Sequence, residues 1–465
     1  MRAAQLTLTL SLALAVAAQT GCRRSASMAG PSEPQLTNPV RLDAWAGDGF
    51  FAGAGEQTRA ERKYDGGFRL PLSDDWTYEL PDEGRWALDR MELGVPALHG
   101  DLLLVGSSRK AGLLVMDRAD GLLRRVLSTS GPVQAAPLPL FAEESREVQV
   151  PIAGTDEFMT RSESVTVLGG WIVADTFGQI QRLDATFESA WESPYDAGGA
   201  VYRTPVVNGD QVLVSTARDQ VTAIDLATGK WVWSYKREVA RTSMELAILG
   251  SPAPTVAEGV VLAGFSDGVV VGLDPASGRL RWEARVGSGQ FPDIEAEPLL
   301  VDGVLVAGAF DGPVMGIDPK TRRVLWTVED AGAVSSMVEA GGSVYTSDSK
   351  GRVQSIVAET GEVEWTWEKK GRLFGPPTRA GGSILVADVD GSLYALDRYE
   401  GKLQWRWRPS DGTRIAGIAS TIAVDGRQIV FPTSGGLLVS LIAESGLVSD
   451  RSEEPGWRAD RPLGW

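Results

Sequence analysis

The chain has 465 residues, a formal net charge of −16, 43% hydrophobic residues and a single cysteine. So acidic a balance excludes wide electrostatic docking on nucleic acid, which needs a basic surface, and gives no support for docking on anionic lipid. One cysteine excludes an internal disulfide, and one histidine excludes histidine-rich metal sites and leaves no convincing Ser-His-Asp arrangement.

Residues 1–22 read as a secretory signal with its junction. Arg2 supplies the positive start, and Leu6 to Ala18 is apolar apart from Thr and Ser, too short a run for a membrane span. Cys22 follows Gly21 directly, as at a bacterial lipoprotein processing site, although Gln19 stands where such sites usually carry Leu or another aliphatic. Lipidation of Cys22 is therefore expected; an ordinary secretory cut nearby is the alternative. Residues 23–70 are rich in Gly, Ala, Ser and Pro without a sustained period, and read as a flexible tether. Next comes DDWTYEL, Asp74 to Leu80, a strand-like segment with Trp76 and no neighbouring strand before it.

The rest, to about residue 450, is repetitive, and residues 451–465 form a polar tail. Ser251 to Gly289 shows the unit best. Four short runs rich in β-branched or aromatic residues are separated by Glu258-Gly259, Ser266-Asp267-Gly268 and Asp274-Pro275-Ala276-Ser277-Gly278. A lone four-stranded meander buries one face poorly, so it needs copies beside it. The pattern Asp, three residues, Gly, three residues, Trp marks the copies: Asp225/Gly229/Trp233, Asp274/Gly278/Trp282 and Asp397/Gly401/Trp405. Two are altered at one position, Asp318/Trp326 with Arg322 for Gly, and Gly361/Trp365 with Val357 for Asp. The spacing of roughly 40–50 residues is that of propeller blades. Each Gly permits a left-handed turn, each Asp can cap it, and each Trp is expected to pack between blades.

In chain order, blade one covers Met91 to Ser130, with Arg125 in place of the Trp. An insertion from Pro132 to Arg161 reads as a long loop with room for a hairpin around REVQVPI, either a contact surface or a plain surface excursion. Blade two spans Ser164 to Ser193 with Trp191, and blades three to seven follow up to Arg408. Blade eight, from Ile418, lacks its fourth strand. The unpaired segment around Trp76 can supply it, which predicts an all-β, eight-bladed propeller closed by an N-terminal strand.

Nothing in the sequence points to catalysis. His99 lies at a turn and reads as a surface or turn residue, Cys22 belongs to the signal junction, and the SDG, FDG and DVDG clusters read as hairpin turns without the spacing of a calcium loop. No phosphate loop or dinucleotide fingerprint is present.

The repeat resembles the pyrroloquinoline-quinone type of propeller repeat, which is specific for architecture and weak for function. SMELAILGSPAPT, Ser243 to Thr255, and the stretch from Asp293 to Trp326 are more specific, and resemble the outer-membrane protein assembly factor BamB family. The resemblance implies a non-catalytic lipoprotein without cofactor or metal. It would be anchored through Cys22 at the periplasmic face of the outer membrane, where it binds the β-barrel insertase. It also implies partner contacts on two neighbouring loops. Met244 and Leu246 match the family's apolar positions, with Ala247 where the family has Arg, and Ile248 and Leu249 extend the apolar run. Asp293 and Glu295 match an acidic stretch expected to orient a basic patch on the partner. The same residues also read as a connecting loop with solvated acids. Two other readings stay open: a quinone-dependent dehydrogenase, whose vicinal disulfide one cysteine cannot form, and an envelope propeller with another partner or ligand.

Overall fold

The computed structural model describes residues 42–44, 68 and most of 70–443, without 82–91, 152–157, 239–251, 289–290, 409–416 and a few isolated positions. The signal segment, Cys22 and the C-terminal tail lie outside the described residues, as do Met244, Leu246, Ile248 and Leu249.

The described chain forms eight antiparallel sheets, seven of four strands and one of five. Their sequence explains their layering. In blade four the third strand, Val269–Leu273, is buried along its whole length, because both of its faces meet a neighbouring blade. The outer strand, Leu280–Arg285, alternates between half-buried and exposed, because its edge and every second side chain meet water. The core is accordingly distributed between blades. Each of the eight interfaces holds its own apolar cluster; between blades three and four it includes Leu213, Val221, Trp233, Val261 and Val271. The cluster joining blade eight to blade one contains Leu438, Val430, Leu103, Met116 and Leu80.

Leu72–Glu79 is the fourth strand of blade eight, antiparallel to Leu437–Ala443 with Trp76 opposite Ser440. That is the pairing predicted from the strand surplus at one end of the chain and the deficit at the other. Trp76 donates its indole N–H to the Arg118 carbonyl of blade one at 3.0 Å, and Trp407 of blade seven donates to Asp74 at 2.7 Å. The closing strand thus touches three blades.

The Asp-Gly-Trp pattern is an inter-blade joint. Asp225 accepts the Thr228 N–H at 2.7 Å, and Gly229 ends the turn at φ 71°. Trp191, on the preceding blade, lies over that glycine and donates to the Leu226 carbonyl at 2.9 Å. The same joint links Trp233 to Pro275, Trp326 to Ala358 and Trp365 to Arg398, each at 2.9 Å. Where the pattern is altered, the joint changes. Arg322 takes the left-handed conformation at φ 63° in place of glycine, at the turn that follows Trp282 in the ring. Arg125, standing for Trp in blade one, reaches the Thr186 carbonyl at 3.1 Å and Glu188 at 2.9 Å. Trp405 is buried at the junction of blades seven and eight. A Cβ on Gly229 would meet the Trp191 ring at 2.6 Å, whereas at Gly259, φ 70°, it would meet nothing within 4 Å. Gly229→Ala is therefore expected to cost about 2–4 kcal/mol in chemical denaturation, and Gly259→Ala only the backbone strain of ~1–2 kcal/mol. Equal losses would mean that the ring contact contributes nothing.

Blade two corrects the sequence reading. It starts at Leu138 rather than Ser164, and its last strand is Tyr195–Asp196. The presumed loop from 132 to 161 is mostly a β-hairpin with arms Leu138–Pro151 and Phe158–Ala174, paired from Leu138↔Ile172 out to Pro151↔Phe158. The inner strand runs into the hairpin without a turn, so no punctuation marks where the blade ends. At ~3.4 Å per residue the ribbon from Glu143 to Pro151 extends roughly 30 Å from the blade. Within the segment read as tether, Leu42–Ala44 pairs with Leu140–Ala142 as the fifth strand of this sheet.

Candidate functional site

In each blade the first-to-second and third-to-fourth turns share one face of the ring, since antiparallel strands alternate in direction. The second-to-third turns and the segments leading into the first strands share the other. First strands of neighbouring blades touch, as Val206–Asn208 touches Thr255–Ala257 and Leu299–Val301 touches Val334–Ala340, so these lead-in segments gather around the ring axis.

The lead-in of blade five, 291–298, carries Asp293 and Glu295. It is stitched down on both sides. The Ile294 N–H donates to the Phe265 carbonyl at 3.1 Å, and the Phe310 N–H donates to the Asp293 carbonyl at 2.8 Å. Ile294 is fully buried beside Gly264, where a Cβ would meet it at 2.4 Å. These anchors hold the acids inside. Asp293 is 3% and Glu295 2% exposed, so the expectation of solvated rim acids facing a partner's basic patch is corrected.

Their counter-charge comes from blade three. The Arg203 guanidinium donates to the Glu295 carbonyl at 3.4 Å and acts electrostatically on Glu295 and Glu297. Burial pushes the Glu295 carboxyl up to about 7, with Arg203 opposing and Asp293 adding to the rise. Glu297, half-buried, is likewise pushed up to about 7 by desolvation against Arg203. Sequence reasoning missed Arg203 and Glu297. The available signal was a charged residue one or two positions before a proline, in YRTP and EAEP, where a segment turns into an inner strand.

The remaining sequence candidates are structural. Asp388, in the DVDG turn, accepts the N–H groups of Asp390 at 3.1 Å and Ser392 at 2.8 Å, which is turn capping. His99 is half-buried rather than a surface residue, edge-on to Phe141 at 5.0 Å, and desolvation lowers its pKa. Among the described residues no three His, Cys, Asp or Glu side chains gather as a metal site, and no helix is long and apolar enough to cross a membrane.

The geometry defines a class: an eight-bladed propeller of the quinoprotein repeat type, whose lead-in face surrounds a buried cluster of acids and one arginine. A family profile described as "Outer membrane protein assembly factor BamB" matches residues 155–366 and 311–455. The chain belongs to that family. Among curated relatives, the assembly factor BamB of Nitrosomonas eutropha is 26% identical over 151 residues, 31% of this chain and 36% of the relative. That of Moranella endobia is 25% identical over 213 residues, 44% and 53% respectively. The matches thus span about a third to a half of those relatives' lengths. The BamB crystal structure from Moraxella catarrhalis superposes with a TM-score of 0.60 at 20% identity, covering 80% of this chain and all of that one. A quinohemoprotein alcohol dehydrogenase from Pseudomonas putida HK5 shares the fold at 13% identity and TM-score 0.54, covering 87% of this chain and 84% of the dehydrogenase.

Proposed function

We propose that the chain is a non-catalytic periplasmic scaffold at the outer membrane, lipid-anchored through Cys22, that binds the β-barrel insertase and assists insertion of outer-membrane proteins. The observation that carries this reading is the family match across most of the ring. The one cysteine, which cannot form the vicinal disulfide of quinone-dependent dehydrogenases, also favours it over that alternative.

Docking is proposed on the lead-in face at blades four and five. Met244, Leu246, Ile248 and Leu249 are the apolar anchors, four in six residues, more than a solvated loop needs. Asp293 and Glu295 act there by shaping the adjoining segment. A tagged full-length chain should recover the insertase from solubilised membranes, and Leu246→Ala should reduce that recovery about tenfold with unchanged melting. Recovery of other envelope proteins without the insertase would overturn the reading. Cys22→Ser should move the chain from the membrane to the soluble periplasmic fraction, since several acyl chains anchor stably where one binds only marginally. Membrane retention of the variant in high salt would exclude the lipid anchor.

A further inference from the structure

Blade four stands between blades three and five in the ring, yet Arg203 of blade three meets the lead-in of blade five. The contact therefore crosses the axial end of blade four, whose own lead-in carries the proposed apolar anchors. We infer that Arg203, Glu295 and Glu297 form a proton-sensitive latch across this face, relaxed when the two glutamates are protonated and strained when both are charged. The regulatory consequence rests on the scaffold reading above; the latch itself does not.

The geometry supports the latch in three ways. Glu295 is 2% exposed and its Oε1 has no hydrogen-bond partner among the described residues. Arg203 spends one donor on the Glu295 main chain, at 3.4 Å, and brings a single positive charge to two glutamates. The segment cannot relieve the excess by swinging outward, because its backbone is tied to Phe265 and Phe310. A buried carboxylate without full compensation either takes up a proton or displaces its surroundings. The charged groups that act on Glu295 are Arg203 from blade three and Asp293 from its own segment, and on Glu297 Arg203 again. Tyr202, beside Arg203, is pushed further up by burial and stays a neutral phenol.

The sign follows from burial raising both carboxyls. The folded chain then binds more protons than the unfolded chain, so stability is fully present below the unfolded value and is lost as pH rises through about 7. The chain's one histidine, His99, has its pKa lowered by burial and drives stability the other way, so a fall in Tm across this range is not its doing.

The test is a set of melts at pH 6 and pH 8, paired with insertase recovery from membranes at the same two values. The wild-type Tm should fall by about 5 °C from pH 6 to pH 8. Glu295→Gln, which mimics the protonated group in shape, should remove about half of that fall and leave the share of Glu297. Arg203→Gln should move its midpoint to higher pH, because Arg203 holds the carboxylates down; loss of packing alone would not shift a midpoint. Insertase recovery should be several-fold higher at pH 6 for the wild type, with a clearly smaller difference for Glu295→Gln. A wild-type pH dependence that Glu295→Gln and Arg203→Gln leave unchanged overturns the latch. The expected melts with no insertase at either pH would uphold the latch and overturn the scaffold reading instead.

Discussion

Deleting residues 1–80 is expected to open the ring and lower Tm by at least ~5 °C. The closing strand removes the free edge of Leu437–Ala443 along seven paired positions, Leu72↔Ala443 to Glu79↔Leu437. Leu72 and Leu80 are buried at 6% and 4% exposure, in the clusters on either side of blade eight. Burying each side chain contributes about 1.5–3 kcal/mol. The Trp76 and Trp407 hydrogen bonds, to blade one and from blade seven, each add about 1 kcal/mol. The deletion also bares an edge strand, which invites association. Melting and light scattering should be measured together, because a truncated chain that associates through the edge can recover part of the lost stability. Unchanged melting of a monomeric truncated chain would show that the ring does not depend on this strand.

The architecture was legible because its local code repeats. Trp233, Trp282, Trp326, Trp365 and Trp405 mark equivalent outer strands, and the glycines before four of them, with Arg322 before Trp326, mark turns at positive φ. The closing strand could be read from a count of strands at the two ends. Blade two was not legible, since its first strand continues into the hairpin and leaves no turn residue at the boundary. The acids were found but misplaced. Asp293 and Glu295 look like rim residues in one dimension, because a segment between strands is expected to be solvated. Their burial depends on Ile294 docking beside Gly264 and on Arg203, 92 positions before Glu295, arriving from two blades away. No local pattern encodes that contact.

The seam between blades eight and one has a second fastening, at Glu92. This side chain is 0% exposed, and its Oε1 accepts the N–H groups of Leu93 at 3.0 Å, Gly94 at 2.8 Å and Ser108 at 2.7 Å. Its Oε2 accepts the Ser107 hydroxyl at 2.6 Å. The Glu92 N–H donates to the Ser434 carbonyl of blade eight at 3.0 Å, and the Ser420 hydroxyl donates to the Gly94 carbonyl at 2.9 Å. Glu92→Ala would strand the Gly94 and Ser108 N–H groups and the Ser107 hydroxyl, while the Leu93 N–H keeps the Ser108 hydroxyl at 3.1 Å. At about 1–3 kcal/mol for each stranded donor when fully desolvated, the expected loss is about 3–5 kcal/mol. Glu92→Gln keeps the oxygen that receives the three N–H groups, and the Ser107 hydroxyl can turn to accept from the new amide. Its expected loss is therefore only about 1 kcal/mol. The decisive measurement combines Glu92→Ala with the deletion of residues 1–80. Two fastenings of one seam cannot both be lost at full cost, because opening the ring at the strand already frees the other side. The combined loss in chemical denaturation should fall short of the sum of the separate losses by more than 1 kcal/mol. Full additivity would place the action of Glu92 inside blade one alone.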